Sequence, residues 1–271
     1  MNHRSFRNTI LRGLEQGGEV LLNYFGKVKH IRVKENLSSV VSEADIESEK
    51  VILEQIRKNF PDHNTISEEY GYVSKDSIYT WIVDPLDGTS NFIAGLPWFG
   101  ILVAVLKDYV PVAAGAYIPT DKHLYYAEEG KRSSLNGKSI RVSRADSLKD
   151  VLVSYSLDFN PDYRVTLAEA EIISRLVRNA RNLRSTNSLL DLCYTADGRL
   201  GAALNRHQKI WDIAAPWLII RESGGMVTGM DGGELDFRVD DTNFDRDFAT
   251  VAAGPKLHTE IIGLLNISSP P

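Results

Sequence analysis

Apolar residues recur at a helical spacing in two segments near the start of the chain. Residues 9–24 carry a broad apolar stripe that predicts the first helix. Residues 42–45, Ser-Glu-Ala-Asp, have the Ser-x-x-acid pattern of a capping box and predict the start of a second helix, which Pro61 ends. The apolar residues expected on one face of this second helix are Ile46, Leu53, Ile56 and Phe60.

Strand-like apolar runs follow, separated by turn residues. Asn136-Gly137 lies between two apolar positions and is typical of a tight hairpin turn. Because the connections are short, these strands are expected to pair mainly antiparallel, as a meander. The predicted strands lie at Ile66 and at residues 79–83, 98–106, 110–118 and 124–127.

From about residue 151 the pattern alternates again between helix and strand. The predicted elements are a strand at 151–155, helices at 163–178 and 188–196, a strand at 200–204, a helix from Trp211 to Gly224, and a helix at 257–265. This alternation predicts a layered α/β fold. No linker divides the chain, so we expect one domain over residues 1–271, with two sheet-containing halves, 1–150 and 151–271.

The composition of the 271 residues is that of a soluble globular protein, with 43% apolar and 25% charged residues. No apolar run reaches the ~20 residues that a membrane-spanning helix needs. Cys193 is the single cysteine, so no intrachain disulfide can form, and a cytoplasmic location is expected. The net charge of -5 has the wrong sign for a nucleic-acid partner held through its phosphates.

Two aspartates at the end of a predicted strand are the strongest sign of chemistry. Asp84 and Asp87 follow residues 79–83 and precede Gly88-Thr89, whose amides are suited to an anion-binding nest. Two carboxylates ~4 Å apart repel by about 4 kcal/mol at an effective dielectric near 20, so a cation is expected between them. All-oxygen ligands favour a hard ion, Mg²⁺ or Mn²⁺. The alternative is that both aspartates only shape a surface turn.

Two further acidic segments extend this pattern. Glu68 and Glu69 follow the apolar stretch at Ile66, in the same way that Asp84 follows its strand. Asp212 stands at a predicted helix start, where taken alone it would more often be an N-cap residue than a ligand.

The order of three segments resembles the inositol monophosphatase family of metal-dependent sugar phosphatases. These segments are Glu68-Glu69, DPLDGTSNF at 84–92 and WDIAAPWLIIRESGG at 211–225. The resemblance implies an αβαβα sandwich with a mainly antiparallel first sheet and a smaller second sheet. It also implies hydrolysis of a small phosphorylated polyol, with inositol 1-phosphate as the default substrate, by direct attack of a metal-activated water. A homodimer, lithium sensitivity, and neither a nucleic-acid nor a membrane partner are expected with it.

The family's metal ligands correspond to five positions here. The resemblance implies a first Mg²⁺ held by Glu68, Asp84 and the carbonyl of Leu86, and a second held by Asp84, Asp87 and Asp212. Two or three ions per site are expected, with Mn²⁺ as a substitute. Such ions would neutralise the charge that develops on a transferring phosphoryl group.

The resemblance also assigns catalytic and substrate-binding positions. Asp45 and Thr89 correspond to the pair that orients the attacking water, and Glu68 is expected to be catalytic as well. The alternative for Asp45 is that it only caps the second helix. The expected substrate-binding residues are Gly88, Thr89, Ser90, Asn205 and Asp212. Lys34 matches a loop lysine that reaches the metal region in relatives, although a surface role is also open.

The chain departs from the family pattern near the expected substrate wall. Asn205 stands where inositol-specific relatives have a Glu that contacts the inositol hydroxyls, which puts inositol recognition in doubt. Arg206 and Lys209 could serve a second phosphate or a carboxylate, or lie in solvent. Asn187 and Leu189 replace the usual Gly and Ala, which predicts a reshaped pocket. The six histidines are scattered along the chain, and no role is expected for any of them.

The sequence is also compatible with other functions. Fructose 1,6-bisphosphate, 3′-phosphoadenosine 5′-phosphate and histidinol phosphate are alternative substrates within the family. A haloacid dehalogenase-like phosphotransferase is disfavoured, because its Asp-x-Asp motif has one residue between the aspartates and two separate Asp84 from Asp87. A non-catalytic metal-binding regulator is disfavoured because the implied ligands are all present.

Overall fold

Seven α-helices were found in the computed structural model, which describes residues 3–27, 31–33 and 40–266. They are α1 His3–Tyr24, α2 Glu43–Asn59, α3 Thr89–Ile93, α4 Tyr163–Asn179, α5 Leu190–Ala196, α6 Ile210–Glu222 and α7 Pro255–Leu265. The predicted helices are confirmed, although α1 begins earlier than residue 9 and α2 begins directly after Ser42. Lys34 lies outside the described residues.

The larger sheet has eight strands in the order β10-β9-β8-β7-β6-β5-β3-β4. All neighbouring pairs are antiparallel except β3 and β5, which run parallel. Its strands are β3 Asn64–Ser67, β4 Gly71–Val73, β5 Tyr79–Asp87, β6 Gly100–Lys107, β7 Val110–Ile118, β8 His123–Glu128, β9 Lys131–Leu135 and β10 Lys138–Ser139. The predicted meander and its hairpin turn, where Asn136 and Gly137 both have positive φ, are therefore confirmed.

The smaller sheet has five strands in the order β12-β11-β13-β15-β14. β11 pairs parallel with both β12 and β13, whereas β15 pairs antiparallel with β13 and β14. Its strands are β11 Leu152–Tyr155, β12 Asn182–Arg184, β13 Ala202–Gln208, β14 Met226–Gly229 and β15 Phe248–Ala253. A separate two-stranded ribbon pairs β1 Ile31–Val33 with β2 Val40–Ser42.

Three apolar clusters join these elements into five layers. The first packs α1 and α2 on one face of the larger sheet and includes Ile10, Leu14, Ile52, Trp81 and Val103. The second fills the space between the sheets around α5 and α6 and includes Ile82, Leu102, Leu190, Ile213 and Ala252. The third packs α4 and α7 on the outer face of the smaller sheet and includes Tyr155, Leu176, Val251, Leu257 and Ile261. The layer order is αβαβα, as the family resemblance implied.

Two details of the sequence prediction are wrong. Ile46 is 41% exposed, because the buried face of α2 carries polar residues near its start and not Ile46. Trp98 lies outside β6, which begins at Gly100. The sequence prediction also missed the short helix α3 and six strands, β1, β2, β4, β12, β14 and β15, and it indicated β9 and β10 only through their turn. No helix of the described residues has both the length and the apolar character that crossing a bilayer requires.

Candidate active site

A bulge in β5 brings Asp84 and Asp87 to the same side of the strand. Asp84 pairs with Leu102 and Asp87 with Gly100, so three steps along β5 match two along β6. In a regular strand, residues three apart point to opposite faces, and one extra residue restores a common direction. The segment is therefore a bulged strand, and not the surface turn that the sequence left as an alternative.

The first turn of α3 stands next to these aspartates. Gly88 has φ of 86°, and a Cβ there would lie 2.5 Å from the carbonyl oxygen of Trp98, so only glycine fits. The amides of a first helical turn have no acceptor within the helix. Gly88, Thr89 and Ser90, whose backbone amides belong to this turn, line the same cavity as the two aspartates.

The Thr89 side chain links α3 to two other predicted site residues. Its Oγ1 donates to the carbonyl of Leu86 at 2.9 Å and lies 3.5 Å from Asp45 Oδ1. Asp45 is buried, with 1% of its surface exposed, in the first turn of α2. Since a carbonyl oxygen has two lone pairs, the bond from Thr89 leaves Leu86 able to bind an ion.

Glu68 reaches the site from the strand beside β5. Ser67 pairs in parallel with Val83, so Glu68 and Asp84 follow the last matched residues of two adjacent strands. The Glu68 amide donates to the Val83 carbonyl at 3.3 Å, which keeps the two chains together beyond β3. Glu68 and Asp84 both line the cavity.

Asp212 comes from the opposite half of the chain. Lys209 is the N-cap of α6, and its backbone amide donates to Asp212 Oδ2 at 2.6 Å. Asp212 is therefore the third helical residue and closes the cap from inside the helix, so the alternative in which Asp212 is itself the N-cap residue is wrong. One carboxylate oxygen from each of Asp84, Asp87 and Asp212 lies within 4.8 Å of the other two.

Burial and mutual repulsion make these carboxyl groups hard to ionise without a cation. Burial, followed by the charges of neighbouring carboxylates, raises the pKa of Asp84 and of Asp87 well above the ordinary value. Burial also raises the pKa of Asp212 to about 7. A divalent cation would favour the ionised forms, and an all-oxygen donor set suits Mg²⁺ or Mn²⁺.

These residues open onto a cavity of about 810 Å³. Leu189 lines it, but its side chain is also buried in the core between the sheets, and its amide donates to Asp87 Oδ1. Asn187 has φ of 49°, the left-handed conformation expected of a residue in the place of a glycine. Its Oδ1 accepts a hydrogen bond from the amide of Leu157 at 3.2 Å. Asn187, which replaces the usual glycine, therefore holds the 156–159 segment of the cavity wall in place.

The two basic residues near Asn205, Arg206 and Lys209, are poorly placed to bind a second anion in the cavity. Lys209 Nζ lies 2.9 Å from Asp247 Oδ1 and donates to the carbonyl of Asp245. Arg206 is not among the residues that line the cavity, whereas Asn205 is. The Asn205 Oδ1 accepts from the amide of His207 at 2.8 Å.

Sequence reasoning missed two groups in the cavity wall. His207 lies between Glu169 Oε1 at 3.3 Å and Asp247 Oδ2 at 3.4 Å, partners that are distant in the chain. Asp191 is buried, and its Oδ2 accepts from the amide of Thr186 and the hydroxyl of Ser156. Burial raises the pKa of Asp191. Neither residue lies in a motif that would have marked it.

The chain matches the model of the inositol monophosphatase family over residues 4–268. The fructose-1,6-bisphosphatase/inositol-1-monophosphatase of Thermotoga maritima is 32% identical over 269 residues, 98% of this chain and 96% of the relative. Inositol monophosphatase 2 of Solanum lycopersicum is 35% identical over 238 residues, 85% and 89% of the two chains.

Among solved structures, the extragenic suppressor protein suhB from Bartonella henselae superposes with a TM-score of 0.87 at 28% identity. The superposition covers 96% of this chain and 98% of that chain. Its fold therefore has the same layers. The chain belongs to the inositol monophosphatase family of metal-dependent phosphatases and is a phosphoric monoester hydrolase.

Proposed function

We propose that this enzyme hydrolyses a small phosphorylated polyol carrying a single phosphate, with inositol 1-phosphate as the default substrate. Support comes chiefly from one observation: Asp84, Asp87 and Asp212 meet within 4.8 Å beside the first-turn amides of α3. The three carboxylates need a cation, and the backbone amides beside them suit a phosphate, so one cavity wall offers binding groups for both.

Five residues would hold Mg²⁺ in this proposal, with Mn²⁺ as a substitute. Glu68, Asp84 and the Leu86 carbonyl would bind one ion, and Asp84, Asp87 and Asp212 a second. Such ions supply a Lewis acid that acidifies water and neutralises charge on phosphoryl oxygens. We further propose that two or three ions are needed for turnover.

The remaining groups act on the water and the phosphate directly. Thr89 Oγ1 and Asp45 Oδ1 are close enough to share one water molecule and to fix its direction of attack. The buried Asp45 carboxylate is suited to accept a hydrogen bond from that water. The amides of Gly88, Thr89 and Ser90 would donate to the phosphoryl oxygens, where negative charge grows as the ester bond breaks.

The charges around the outer cavity favour a substrate without a second phosphate. Asp158, Asp245 and Asp247 line this region, and Asp247 already pairs with Lys209, the one lysine among the described residues that line the cavity. A phosphate ~6 Å from an unpaired carboxylate is repelled by about 0.7 kcal/mol per pair of unit charges in water. Inositol 1-phosphate and histidinol phosphate therefore suit this cavity better than fructose 1,6-bisphosphate or 3′-phosphoadenosine 5′-phosphate.

Fructose 1,6-bisphosphate is nevertheless the second candidate. The Thermotoga maritima relative, 32% identical over nearly the whole chain, is named for both fructose-1,6-bisphosphatase and inositol-1-monophosphatase activity. A role as a non-catalytic regulator is a weaker alternative, because the five carboxylates of the proposed site and Thr89 are all present.

A phosphate-release screen tests the proposal. The four compounds named above are incubated with the purified protein in Mg²⁺ and, separately, in EDTA, and inorganic phosphate is measured over time. We expect Mg²⁺-dependent release that is fastest from a monophosphate. Asp62→Asn, which changes an exposed carboxylate outside the cavity lining, should behave as wild type. Release in EDTA, or none from any compound, would contradict the proposal.

Three finer expectations accompany the proposed activity. Li⁺ should inhibit turnover by taking the position of the second ion with too little charge. Light scattering of the purified protein should report a homodimer, and the enzyme is expected to act in the cytoplasm. Unchanged activity at Li⁺ levels that inhibit inositol monophosphatases would argue that the second ion site differs from the family pattern.

A further inference from the structure

A buried glutamate on α2 touches the loop that carries Glu68. Glu49 is fully buried, with 0% of its surface exposed. Its Oε1 accepts from the backbone amide of Glu69 at 3.1 Å and from that of Tyr70 at 3.4 Å. These two residues follow Glu68 directly, so one carboxyl oxygen holds the chain just beyond a proposed metal ligand.

The loop needs such an acceptor because of its shape. Ser67 and Gly71 pair across the β3–β4 hairpin, which leaves Glu68, Glu69 and Tyr70 as the turn. The amides of Glu69 and Tyr70 both point to Glu49. These hydrogen bonds are part-buried, and amides that lose their acceptor away from bulk water are costly, so removing Glu49 would favour rearrangement of the turn.

The same face of α2 contacts the other two segments of the site. Ser48 Oγ donates to the carbonyl of Pro85 at 2.9 Å, between Asp84 and Asp87. Asp45 lies 3.5 Å from Thr89 Oγ1. Positions 45, 48 and 49 are separated by three and four residues and therefore share one helix face. This face is polar and buried, which is also why Ile46 points outward.

We infer that Glu49 is a positioning residue that fixes the Glu68 turn in the conformation that binds the metal. The inference rests on the proposed function, because it assumes that Glu68 is a ligand. Glu49 acts through the backbone of Glu69 and Tyr70 and has no contact with substrate in this scheme. What it supplies is an acceptor oxygen at a fixed place, and glutamine has the same oxygen at the same reach.

Three variants and one control separate this role from general stability. Glu49→Gln keeps the acceptor, Glu49→Asp withdraws it by one methylene, and Glu49→Leu removes it. Ile56→Ala is the control, because Ile56 is a fully buried apolar residue of the same helix that belongs to the α1–α2 cluster. Mn²⁺ binding is measured by electron paramagnetic resonance on each metal-free protein, alongside kcat, KM and the midpoint of unfolding.

We expect Glu49→Leu to weaken Mn²⁺ binding by about ten- to a hundredfold, the usual effect of losing a partner that orients a metal ligand. At saturating Mg²⁺ its kcat and KM should return to within a few-fold of wild type. Glu49→Gln should bind Mn²⁺ as wild type does, and Glu49→Asp should lie between them. Ile56→Ala should lower the unfolding midpoint and leave Mn²⁺ binding unchanged.

Several outcomes would overturn the inference. They are unchanged Mn²⁺ binding in Glu49→Leu, an equal loss in Glu49→Gln, or an equal loss in Ile56→Ala. Should Glu49→Leu fail to fold, Glu49→Asp decides the matter by the same measurement, and wild-type affinity there would refute the role. A wild-type protein that binds Mn²⁺ but hydrolyses no phosphate ester would refute the proposed function alone, whereas one that binds no Mn²⁺ would refute both.

Discussion

Replacing one of the clustered carboxylates by its neutral isostere should stabilise the metal-free protein. Asp212 lies against Asp84 and Asp87, and burial raises its pKa to about 7 from an ordinary 3.8. In Asp212→Asn the carbonyl oxygen can still accept from the Lys209 amide and preserve the helix cap. The substitution therefore removes a charge and keeps the local structure.

The size and sign of the effect follow from this pKa. A carboxyl that binds its proton more tightly when folded contributes stability below pH 3.8, and that contribution is lost as the pH rises through about 7. At 1.36 kcal/mol per tenfold change in proton affinity, the upper limit is about 4 kcal/mol. Because Asp212 lines an open cavity and shares its repulsion with other carboxylates, we expect roughly 1–3 kcal/mol at pH 7.5.

Urea unfolding in EDTA, repeated from pH 5 to pH 7.5, measures this free energy. Asp212→Asn should exceed wild type in stability at pH 7.5, and the difference should shrink towards pH 5. Added Mg²⁺ should stabilise wild type by mass action and the variant much less. Asp62→Asn, an exposed control, should follow wild type. A variant less stable than wild type in EDTA at pH 7.5, or a difference that grows towards pH 5, would refute the reasoning.

Three other predictions concern turnover, substrate choice and ion binding. Asp87→Asn should lower kcat by roughly a thousandfold with the fold intact by circular dichroism, since a charged ligand supplies several kcal/mol of charge stabilisation; near-normal kcat at saturating Mg²⁺ would remove Asp87 from the site. Asn205→Glu should raise kcat/KM for inositol 1-phosphate relative to the other substrates by about ten- to a hundredfold, the worth of one charge-assisted hydrogen bond; an unaltered ranking would show that Asn205 does not choose the substrate. Mg²⁺ binding should release protons and weaken from pH 8 to pH 6, because the pKa of Asp212 is raised to about 7; calorimetry in two buffers that shows no proton release would contradict this.

The larger sheet could be predicted because each of its central strands carries its own signal. β7, Val110–Ile118, has the predicted bounds, and β6 and β8 differ from the prediction by only a few residues at their ends. These strands are largely apolar and buried, and short turns such as Asp108-Tyr109 join them. Local sequence therefore determined both the elements and their pairing.

The smaller sheet was predicted less well because part of it depends on distant pairing. β12, Asn182–Arg184, has three residues, none of them buried. β14, Met226–Gly229, is also short, and it pairs with β15, Phe248–Ala253, across the intervening 230–247 segment. Such strands form because partners at the sheet edge supply hydrogen bonds, and a sequence window does not contain those partners.

In the site too, residues within sequence motifs could be predicted, whereas contacts between residues distant in the chain could not. Asp84, Asp87 and Asp212 were identified through motifs that resemble the family, and the structure brings them together. The ion pair of Lys209 with Asp247 and the position of His207 depend on a loop more than 30 residues away. Lys209 therefore seemed free to bind an anion in the sequence, and the fold alone shows that it is already paired.

Two of the competing interpretations of the sequence prove compatible once the atoms are placed. Asp212 caps α6 through Oδ2, which leaves Oδ1 for an ion, so the capping role would fix the direction of Asp212 as the proposed ligand. Asp45 stands in the first turn of α2, where a carboxylate suits the helix dipole, and it also lies beside Thr89. A helix terminus holds a side chain rigidly because the backbone amides there need acceptors. A carboxylate that accepts from such an amide with one oxygen holds its second oxygen in a nearly fixed position. A bound ion, or a water molecule that must attack from one direction, requires an oxygen held in this way.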